Sequence, residues 1–296
     1  MLGSTLVLEW APRYRIVALS HSRQLRWPGV QSHQVDLLDH SEVTRVIREA
    51  RPDLVVHAAA WTDADGCELN PERALAINAE GSKCVAQASA DVGADCIYIS
   101  TDGVFDGVQG GYVETDRPAP INAYARSKLR GEDKVLAANP QSMVVRVGLE
   151  GWRPVGRPGF IQWVVESLSK GERITICTDW IRSFVFASNL PSILEKMWGR
   201  GLRGLYHVAS SDSASNYNAA LITAEVFGLD PSGLMSISGD DLNLRAQRPK
   251  DTSLDGRKLL AAIDVKVLSI REGIMIMRAE RDNRRVADLQ ALFRPK

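Results

Sequence analysis

Cys96-Ile97-Tyr98-Ile99-Ser100-Thr101-Asp102 is the stretch of sequence that decides the fold class. Its first four residues form a short apolar run, which predicts a strand buried on both faces. Two further runs of this kind, Leu54-Val55-Val56 and 143–147, lie before and after it. Strands buried on both faces are typical of a parallel sheet covered by helices, so the sequence predicts an α/β fold.

The segments between these strands have the spacing of amphipathic helices. Val43, Val46, Ile47 and Ala50 recur at intervals of three and four residues. Strands and helices therefore alternate along the chain. The other elements predicted in this part are a strand at 16–19 and helices at 71–92 and 123–136.

A glycine- and proline-rich stretch at 151–159 interrupts the alternation and predicts a boundary between two lobes. We expect residues 1–150 to form the larger domain and residues 151–296 mainly a smaller lobe, with a segment at about 185–210 returning to the larger domain. Beyond the boundary, patterning predicts helices at 160–169, 188–198 and 216–227 and a strand at 205–208.

Composition narrows the classes of function. The 296 residues are 45% hydrophobic and 24% charged, as in a globular protein with a large core. Lys and Arg together number 36, as do Asp and Glu, so no net charge attracts nucleic acid or an anionic membrane. No apolar run reaches the ~18 residues of a membrane span, and no secretory signal begins the chain. We therefore expect a cytoplasmic protein without nucleic-acid or membrane partners.

The cysteines and histidines give no metal motif. Cys67, Cys84, Cys96 and Cys177 lie far apart, without the close pairs of a zinc site or a redox centre. Isolated histidines are usually packing or surface residues. We therefore predict no metal site.

The candidate chemistry lies in Tyr124-Ala125-Arg126-Ser127-Lys128 and in Ser100-Thr101-Asp102. On a helix, Tyr124 and Lys128 share one face, and a nearby cation makes a phenol a better proton donor to a carbonyl. Thr101 follows a buried strand, where open α/β sheets bind ligands, and its hydroxyl can bond the same carbonyl oxygen. Taken singly, the tyrosine and lysine can be a surface pair, and Ser100 or Asp102 can simply cap a turn.

Several motifs together carry a resemblance to a known family. They are His57-Ala58-Ala59-Ala60-Trp61-Thr62 with Asp65 and Glu68, Ser100-Thr101-Asp102 with Val104-Phe105-Asp106-Gly107, Tyr112, Glu114, Pro120, Tyr124, Lys128, Gly131 and Glu132, and Arg248-Pro249 with Ser253-Leu254-Asp255. They resemble the extended short-chain dehydrogenase/reductase superfamily and, within it, the dTDP-4-dehydrorhamnose reductase group. The resemblance covers most of the chain and is strongest over 36–146.

The resemblance implies a doubly wound parallel Rossmann-type sheet that binds a dinucleotide within 1–150, and a C-terminal substrate lobe. It implies a reductase of a 4-keto sugar nucleotide, with hydride from the nicotinamide. It makes Tyr124 the proton donor, Lys128 the residue that lowers the pKa of the phenol and holds the nicotinamide ribose, and Thr101 the residue that orients the carbonyl. The substrate-binding residues implied are Thr101, Asp102, Arg182 and Arg248.

The cofactor-binding residues are implied in the same way. Asp36 and Leu37 resemble the pair that lines the adenine pocket, although Asp36 can instead cap the helix at 41–50. After the second strand an acid would bind the ribose 2'-hydroxyl, whereas this chain has Ser20-His21-Ser22-Arg23. NADP is therefore the expected cofactor, with Arg23 at its 2'-phosphate, and NAD is the alternative. The remaining residues implied along the cofactor are Gly3, Ala59, Ala60, Trp61, Ile99, Tyr124 and Lys128.

The sequence departs from this group at its start and in its substrate lobe. The resemblance aligns Leu2-Gly3-Ser4-Thr5-Leu6 with the end of the glycine-rich loop, so we expect the first strand and most of that loop to be missing and the slot between two strands to be open. Gly103 replaces a tyrosine, and 146–152 and 179–184 lack the usual motifs.

Two alternatives and one possible assembly remain open. The first alternative is a non-catalytic regulatory protein resembling the regulatory subunit of methionine adenosyltransferase. The second is a sugar-nucleotide epimerase or dehydratase. The Tyr124 helix and its neighbour could also form the contact of a homodimer.

Overall fold

The computed structural model describes residues 1–293, so the last three residues of the predicted second lobe, 294–296, lie outside it. Strands and helices alternate through the first half of the chain, which confirms the α/β prediction. The strands are β1 (Val17–Ser20), β2 (Gln31–Gln34), β3 (Leu54–His57), β4 (Asp95–Ile99), β5 (Met143–Arg146), β6 (Gly148–Glu150), β7 (Ile174–Cys177), β8 (Ile181–Arg182), β9 (Phe184–Phe186), β10 (Gly204–His207), β11 (Ala214–Ser215) and β12 (Leu234–Ile237).

Twelve α-helices lie before, between or after these strands within the described residues. They are α1 (Leu2–Trp10), α2 (His40–Ala50), α3 (Ala64–Leu69), α4 (Pro71–Leu75), α5 (Gly81–Asp91), α6 (Ala123–Ala138), α7 (Phe160–Ser169), α8 (Leu190–Gly199), α9 (Asn216–Phe227), α10 (Arg257–Ala262), α11 (Ile270–Asp282) and α12 (Arg285–Ala291). None of the helices within residues 1–293 is long and apolar enough to cross a membrane.

The main sheet is parallel and has four strands in the order β10-β5-β4-β3. β1 and β2 pair in parallel as a separate sheet, and no strand within residues 1–293 pairs with the outer edge of β3 or joins it to β1. The two sheets nevertheless share one helical layer. Val17 of β1 and Val55 of β3 both pack on the cluster formed by α2 and α5.

The opposite face of the main sheet is covered by α1 and α8. Leu2, Leu6 and Trp10 of α1 are buried in one cluster with Ile97 of β4 and Val145 of β5. Burying a large apolar side chain contributes about 1.5–3 kcal/mol, so the layer of α1 stabilises the sheet substantially. Because β3, β4, β5 and β10 are parallel, their carboxyl ends lie at one edge of the main sheet.

The helix predicted at 71–92 is divided by a π-helical turn, Ala76–Glu80, between α4 and α5. Within the turn, the main-chain oxygen of Asn78 accepts hydrogen bonds from Ser82 Oγ (2.7 Å) and the Tyr98 hydroxyl (3.2 Å). Apolar periodicity cannot show such a turn because it changes only one residue of the helical repeat.

Beyond residue 150 the strands form small sheets beside the main one. β6 pairs with β9 and β7 with β12, both in parallel, while β8 and β11 are antiparallel. β10 instead joins the main sheet next to β5, with Leu205 opposite Val144. The division at about residue 150 remains a prediction, but the chain does pass back into the main sheet at 204–207.

Candidate active site

The residues predicted to carry the chemistry meet at the carboxyl end of β4. Thr101 lies two residues after the end of that strand, and Tyr124 and Lys128 lie one turn apart on α6. Asn122 caps this helix, since its Oδ1 accepts a 2.9 Å hydrogen bond from the amide of Ala125. The cap positions the first turn of α6, and with it Tyr124, against the end of β4.

Burial raises the pKa of Tyr124 to about 12, and hydrogen bonding from Thr101 opposes the rise. The phenol is therefore protonated at neutral pH and has a proton to donate. The hydrogen of the Thr101 hydroxyl is donated to Asp102 Oδ1 (3.0 Å), and the Thr101 oxygen accepts from the amide of Gly103 (3.1 Å), which holds it at the strand end.

Lys128 is buried beneath the tyrosine. Its ammonium donates a 2.8 Å hydrogen bond to the main-chain oxygen of Ile99 and lies 3.9 Å from the centre of the Tyr98 ring. Burial lowers the pKa of Lys128 to about 7, and the charge of Glu132 partly opposes this. The lysine can therefore gain or lose its proton near neutral pH.

Asn78 joins three parts of the site, and sequence patterning did not single it out. Its Oδ1 accepts from the amide of Trp61 (2.8 Å), and its Nδ2 donates to the Trp61 oxygen (2.9 Å) and to Ser127 Oγ (2.9 Å). It thus ties the segment after β3 to the helix of Tyr124. The only sequence signal that could have indicated the role of Asn78 was the position of a polar residue on the inner face of an otherwise apolar helix.

A buried ion pair supports the same strand end from below. Arg146 Nη2 lies 2.7 Å from Glu132 Oε2, with side chains 3% and 5% exposed, and Ser100 Oγ donates to Glu132 Oε1. Arg146 ends β5 and Glu132 lies one turn after Lys128, so the pair connects α6 with two strands. Charge-assisted bonds of this kind are the strong ones inside a protein.

The substrate side of the site contains a second charged group. Arg182 Nη2 lies 2.8 Å from Glu150 Oε1, and burial raises the pKa of both Glu150 and Asp102, while the charge of Arg182 lowers both. Asp102 Oδ2 also accepts a 3.0 Å hydrogen bond from Thr252. The charge of Arg182 therefore acts on Asp102, and Glu150 is a partner of Arg182 that sequence reasoning missed.

The other predicted substrate residue, Arg248, is held differently. Its guanidinium lies 3.1 Å from Asp65 Oδ2 and donates a 2.7 Å bond to the main-chain oxygen of Ala246, whose own amide donates to Asp65 Oδ1 (2.9 Å). This group links α3 with the late segment 246–248 across the opening of the site. In this structure the guanidinium of Arg248 therefore faces Asp65.

The predicted cofactor residues lie along the same edge of the two sheets. Arg23 is exposed after β1 and lines a cavity of about 420 Å³ with Ser20, His21 and Ser22; its other walls are Val155, Gly156 and Phe293. Asp36 is exposed after β2, 3.4 Å from His21 Nε2. Asp39, and not Asp36, caps α2, since Asp39 Oδ1 accepts from the amide of Glu42 (3.0 Å).

The remaining predicted cofactor residues follow β3 and β4 or lie at α1 and α5. Ala59, Ala60 and Trp61 come directly after β3, and Ile99 ends β4. Gly3 is exposed in the first turn of α1, and a Cβ added there would meet nothing within 4 Å. Leu37 packs against the start of α5, where a Cβ on Gly81 would lie 3.2 Å from Leu37 Cβ.

These residues suit an anionic dinucleotide. The cavity is of the size that binds part of a small ligand, a basic side chain lines it, and α1 begins with first-turn amides of the kind that bind anions. No group of three or more His, Cys, Asp or Glu within the described residues is placed to hold a metal ion.

The fold and the Thr101, Tyr124 and Lys128 constellation define an extended short-chain dehydrogenase/reductase. The family model for the RmlD substrate binding domain matches residues 2–282, and the chain belongs to that family.

Named reductases that are similar to this chain agree with the assignment to this family. A dTDP-4-dehydrorhamnose reductase from Mycobacterium tuberculosis is 37% identical over 78% of this chain and 77% of its own length. A probable low-salt glycan biosynthesis reductase from Haloferax volcanii is 35% identical over 86% of both chains. The crystal structure of dTDP-4-dehydrorhamnose reductase from Bacillus anthracis in complex with NADP has a TM-score of 0.82 and 29% identity, covering 90% of this chain and 99% of that one.

A protein with a different name is also similar. Methionine adenosyltransferase 2 subunit beta from Rattus norvegicus is 33% identical over 76% of this chain and 70% of its own length. Similarity in sequence therefore does not separate a reductase from a regulatory subunit, and the site must be used instead.

Proposed function

We propose that this protein reduces the 4-keto group of a sugar nucleotide with NADP as its cofactor. The observation that carries the proposal is the position of the Tyr124 phenol, protonated at neutral pH, beside the Thr101 hydroxyl at the carboxyl end of β4. Two hydroxyl groups that converge on one point suit the oxygen of a carbonyl group.

In this reaction Tyr124 donates its proton to the carbonyl oxygen as that oxygen gains charge. Thr101 donates a hydrogen bond to the same oxygen and orients the carbonyl. A bound nicotinamide cofactor supplies the hydride that reduces the carbonyl carbon. Lys128, one turn below, places a positive charge near the phenolate that remains and holds the ribose hydroxyls.

The cofactor would lie along the carboxyl edge of both sheets. Arg23 lines the cavity after β1 and would bind the 2'-phosphate, which favours NADP over NAD. Asp36 and Leu37 would border the adenine, and the backbone at Ala59, Ala60, Trp61 and Ile99 would form the wall along the cofactor. Gly3 would bring the first turn of α1 close to the diphosphate.

The sugar nucleotide would enter from the side of Asp102 and Arg182. Support comes from the guanidinium of Arg182, whose Nε is buried without a hydrogen-bond partner among residues 1–293. Arg248 would reach the substrate only after leaving Asp65. A homodimer formed through α5 and α6 also remains a prediction.

The proposal is tested by NADPH oxidation in the presence of dTDP-4-dehydrorhamnose, with wild-type protein and the Tyr124→Phe variant. We expect turnover by the wild type and a loss of about 10²-fold or more in the variant, with NADPH binding unchanged. Wild-type protein that binds NADPH but reduces no keto sugar nucleotide would disprove the reductase function.

A second candidate function is that of a regulatory subunit, favoured by the similarity to methionine adenosyltransferase 2 subunit beta. It predicts a stable complex with a methionine adenosyltransferase catalytic subunit on size-exclusion chromatography. It also predicts that Tyr124→Phe leaves that complex intact.

A further inference from the structure

The segment from Gly151 to Gly159 lies over the groove assigned to the cofactor. At its start, a Cβ on Gly151 would lie 3.5 Å from the sulfur of Met1, next to the amino end of α1. In its middle, Val155 and Gly156 line the cavity that contains Arg23. The segment therefore extends from the start of α1 to the cavity after β1.

The segment is anchored on the side of the C-terminal lobe. Trp152 is buried and its indole nitrogen donates a 3.0 Å hydrogen bond to the main-chain oxygen of Met277. The amide of Arg153 donates a 2.8 Å bond to Gln162 Oε1 on α7. These two bonds fix the backbone on both sides of the Arg153 side chain.

Arg153 is a cation whose guanidinium is not satisfied within the described residues. Its Nε is buried and has no hydrogen-bond partner among residues 1–293. Glu150, which immediately precedes the segment and feels the charge of Arg153, forms its ion pair with Arg182, at 2.8 Å. A buried donor without a partner costs about 1–3 kcal/mol, which a bound acceptor would recover.

The charge of Arg153 acts on both ends of the groove. Burial raises the pKa of Tyr124 and lowers that of the Met1 amine, and the charge of Arg153 makes a smaller, lowering contribution to both. Together with the contact between Gly151 and Met1, this places the guanidinium near the start of α1, where free amides favour an anion.

We propose that Arg153 is a phosphate-binding residue that takes the diphosphate of a nucleotide bound across this groove. A guanidinium binds two phosphate oxygens at once, and the unbonded Nε is one of the donors that such a contact needs. The diphosphate can belong to the dinucleotide or to the sugar nucleotide, since both carry one. This inference rests on the proposed function, because it assumes that a nucleotide occupies the groove.

The test compares Arg153→Gln with Arg157→Gln, since Arg157 is an exposed arginine on the same segment. Binding of NADPH, of dTDP and of inorganic pyrophosphate is measured by calorimetry for the wild type and both variants. We expect Arg153→Gln to weaken one nucleotide and pyrophosphate about tenfold to a hundredfold, and Arg157→Gln to change each by less than about threefold. Weaker NADPH identifies the cofactor as the source of the diphosphate, and weaker dTDP identifies the substrate.

Two results would overturn the inference. One is unchanged binding of all three ligands by an Arg153→Gln variant whose thermal unfolding matches that of the wild type. The other is a wild type that binds none of them. If Arg153→Lys retains part of the affinity, charge at this position is confirmed as the cause. A protein that binds dTDP through Arg153 but reduces nothing would refute the proposed function and leave this inference standing.

Discussion

The ammonium of Lys128 donates a 2.8 Å hydrogen bond to the main-chain oxygen of Ile99, the last residue of β4. The bond ties the catalytic helix to the strand that carries Thr101. It also places a cation where burial lowers its pKa to about 7. The buried ammonium of Lys128 therefore lowers the free energy of unfolding, as buried charges in active sites commonly do.

This cost predicts the pH dependence of folding. The unfolded chain keeps the Lys128 proton up to its ordinary pKa of 10.5, whereas the folded chain loses it near pH 7. Between these values the unfolded state binds more protons, so stability rises with pH across that window. We expect Lys128→Met to be more stable than the wild type at pH 7 by about 1–3 kcal/mol and to lose much of this rise.

Urea denaturation at a series of pH values measures this effect. Lys83→Met, at an exposed position on α5, should keep the wild-type dependence. If Lys128→Met and the wild type have parallel stability curves from pH 7 to 10, the lysine is not the residue responsible.

The buried pair of Arg146 and Glu132 predicts a large loss of stability. Arg146→Met leaves the Glu132 carboxylate buried without its cation, which should cost about 3–5 kcal/mol of unfolding free energy. The matched control is Arg130→Met, which removes an exposed pair with Asp133 at 3.5 Å and should cost less than about 1 kcal/mol. Equal losses in the two variants would show that Glu132 does not depend on Arg146.

Gly131 is predicted to tolerate no side chain. A Cβ at this position of α6 would lie 2.3 Å from the Tyr98 hydroxyl and 2.5 Å from the main-chain oxygen of Asn78. Gly131→Ala should therefore destabilise the protein by about 1–3 kcal/mol, although alanine usually stabilises a helix. Gly199→Ala, where nothing lies within 4 Å, should be neutral or stabilising in the same thermal unfolding measurement.

His57 predicts a loss of stability in acid. Burial lowers the pKa of this histidine to about 3, and its Nε2 lies 2.9 Å from Ser82 Oγ. The unfolded chain binds the proton already near pH 6.5, so stability falls as the pH drops from 6.5 to 3, by up to about 3–5 kcal/mol from this residue.

The comparison of His57→Asn with His40→Asn tests that origin. The asparagine at position 57 should flatten the fall in stability between pH 6.5 and 4, measured by urea denaturation at each pH. The change at the exposed His40 should leave the fall as it is in the wild type. A fall of the same steepness in both variants would assign it to other groups.

Much of the fold follows from local patterning. The run at 96–99 predicted β4, and the periodicity at 216–227 predicted a helix that the structure places at the same residues, Asn216–Phe227. Both patterns act over a few residues, because burial on one or two faces repeats every two or 3.6 positions. Patterning did not predict the π-helical turn at Ala76–Glu80, because such a turn changes only one residue of the helical repeat.

The sequence by itself determined the α/β class, the buried strands at 54–56, 96–99 and 143–147, and the Thr101, Tyr124 and Lys128 set at one strand end. Only the tertiary structure decided what surrounds that set. It paired Arg146 with Glu132, turned Arg248 towards Asp65, and brought Arg153 to the start of α1. The physical reason is that apolar periodicity depends on residues a few positions apart in the sequence. The partner of a buried charge, in contrast, is the group that packing of the whole chain places beside it.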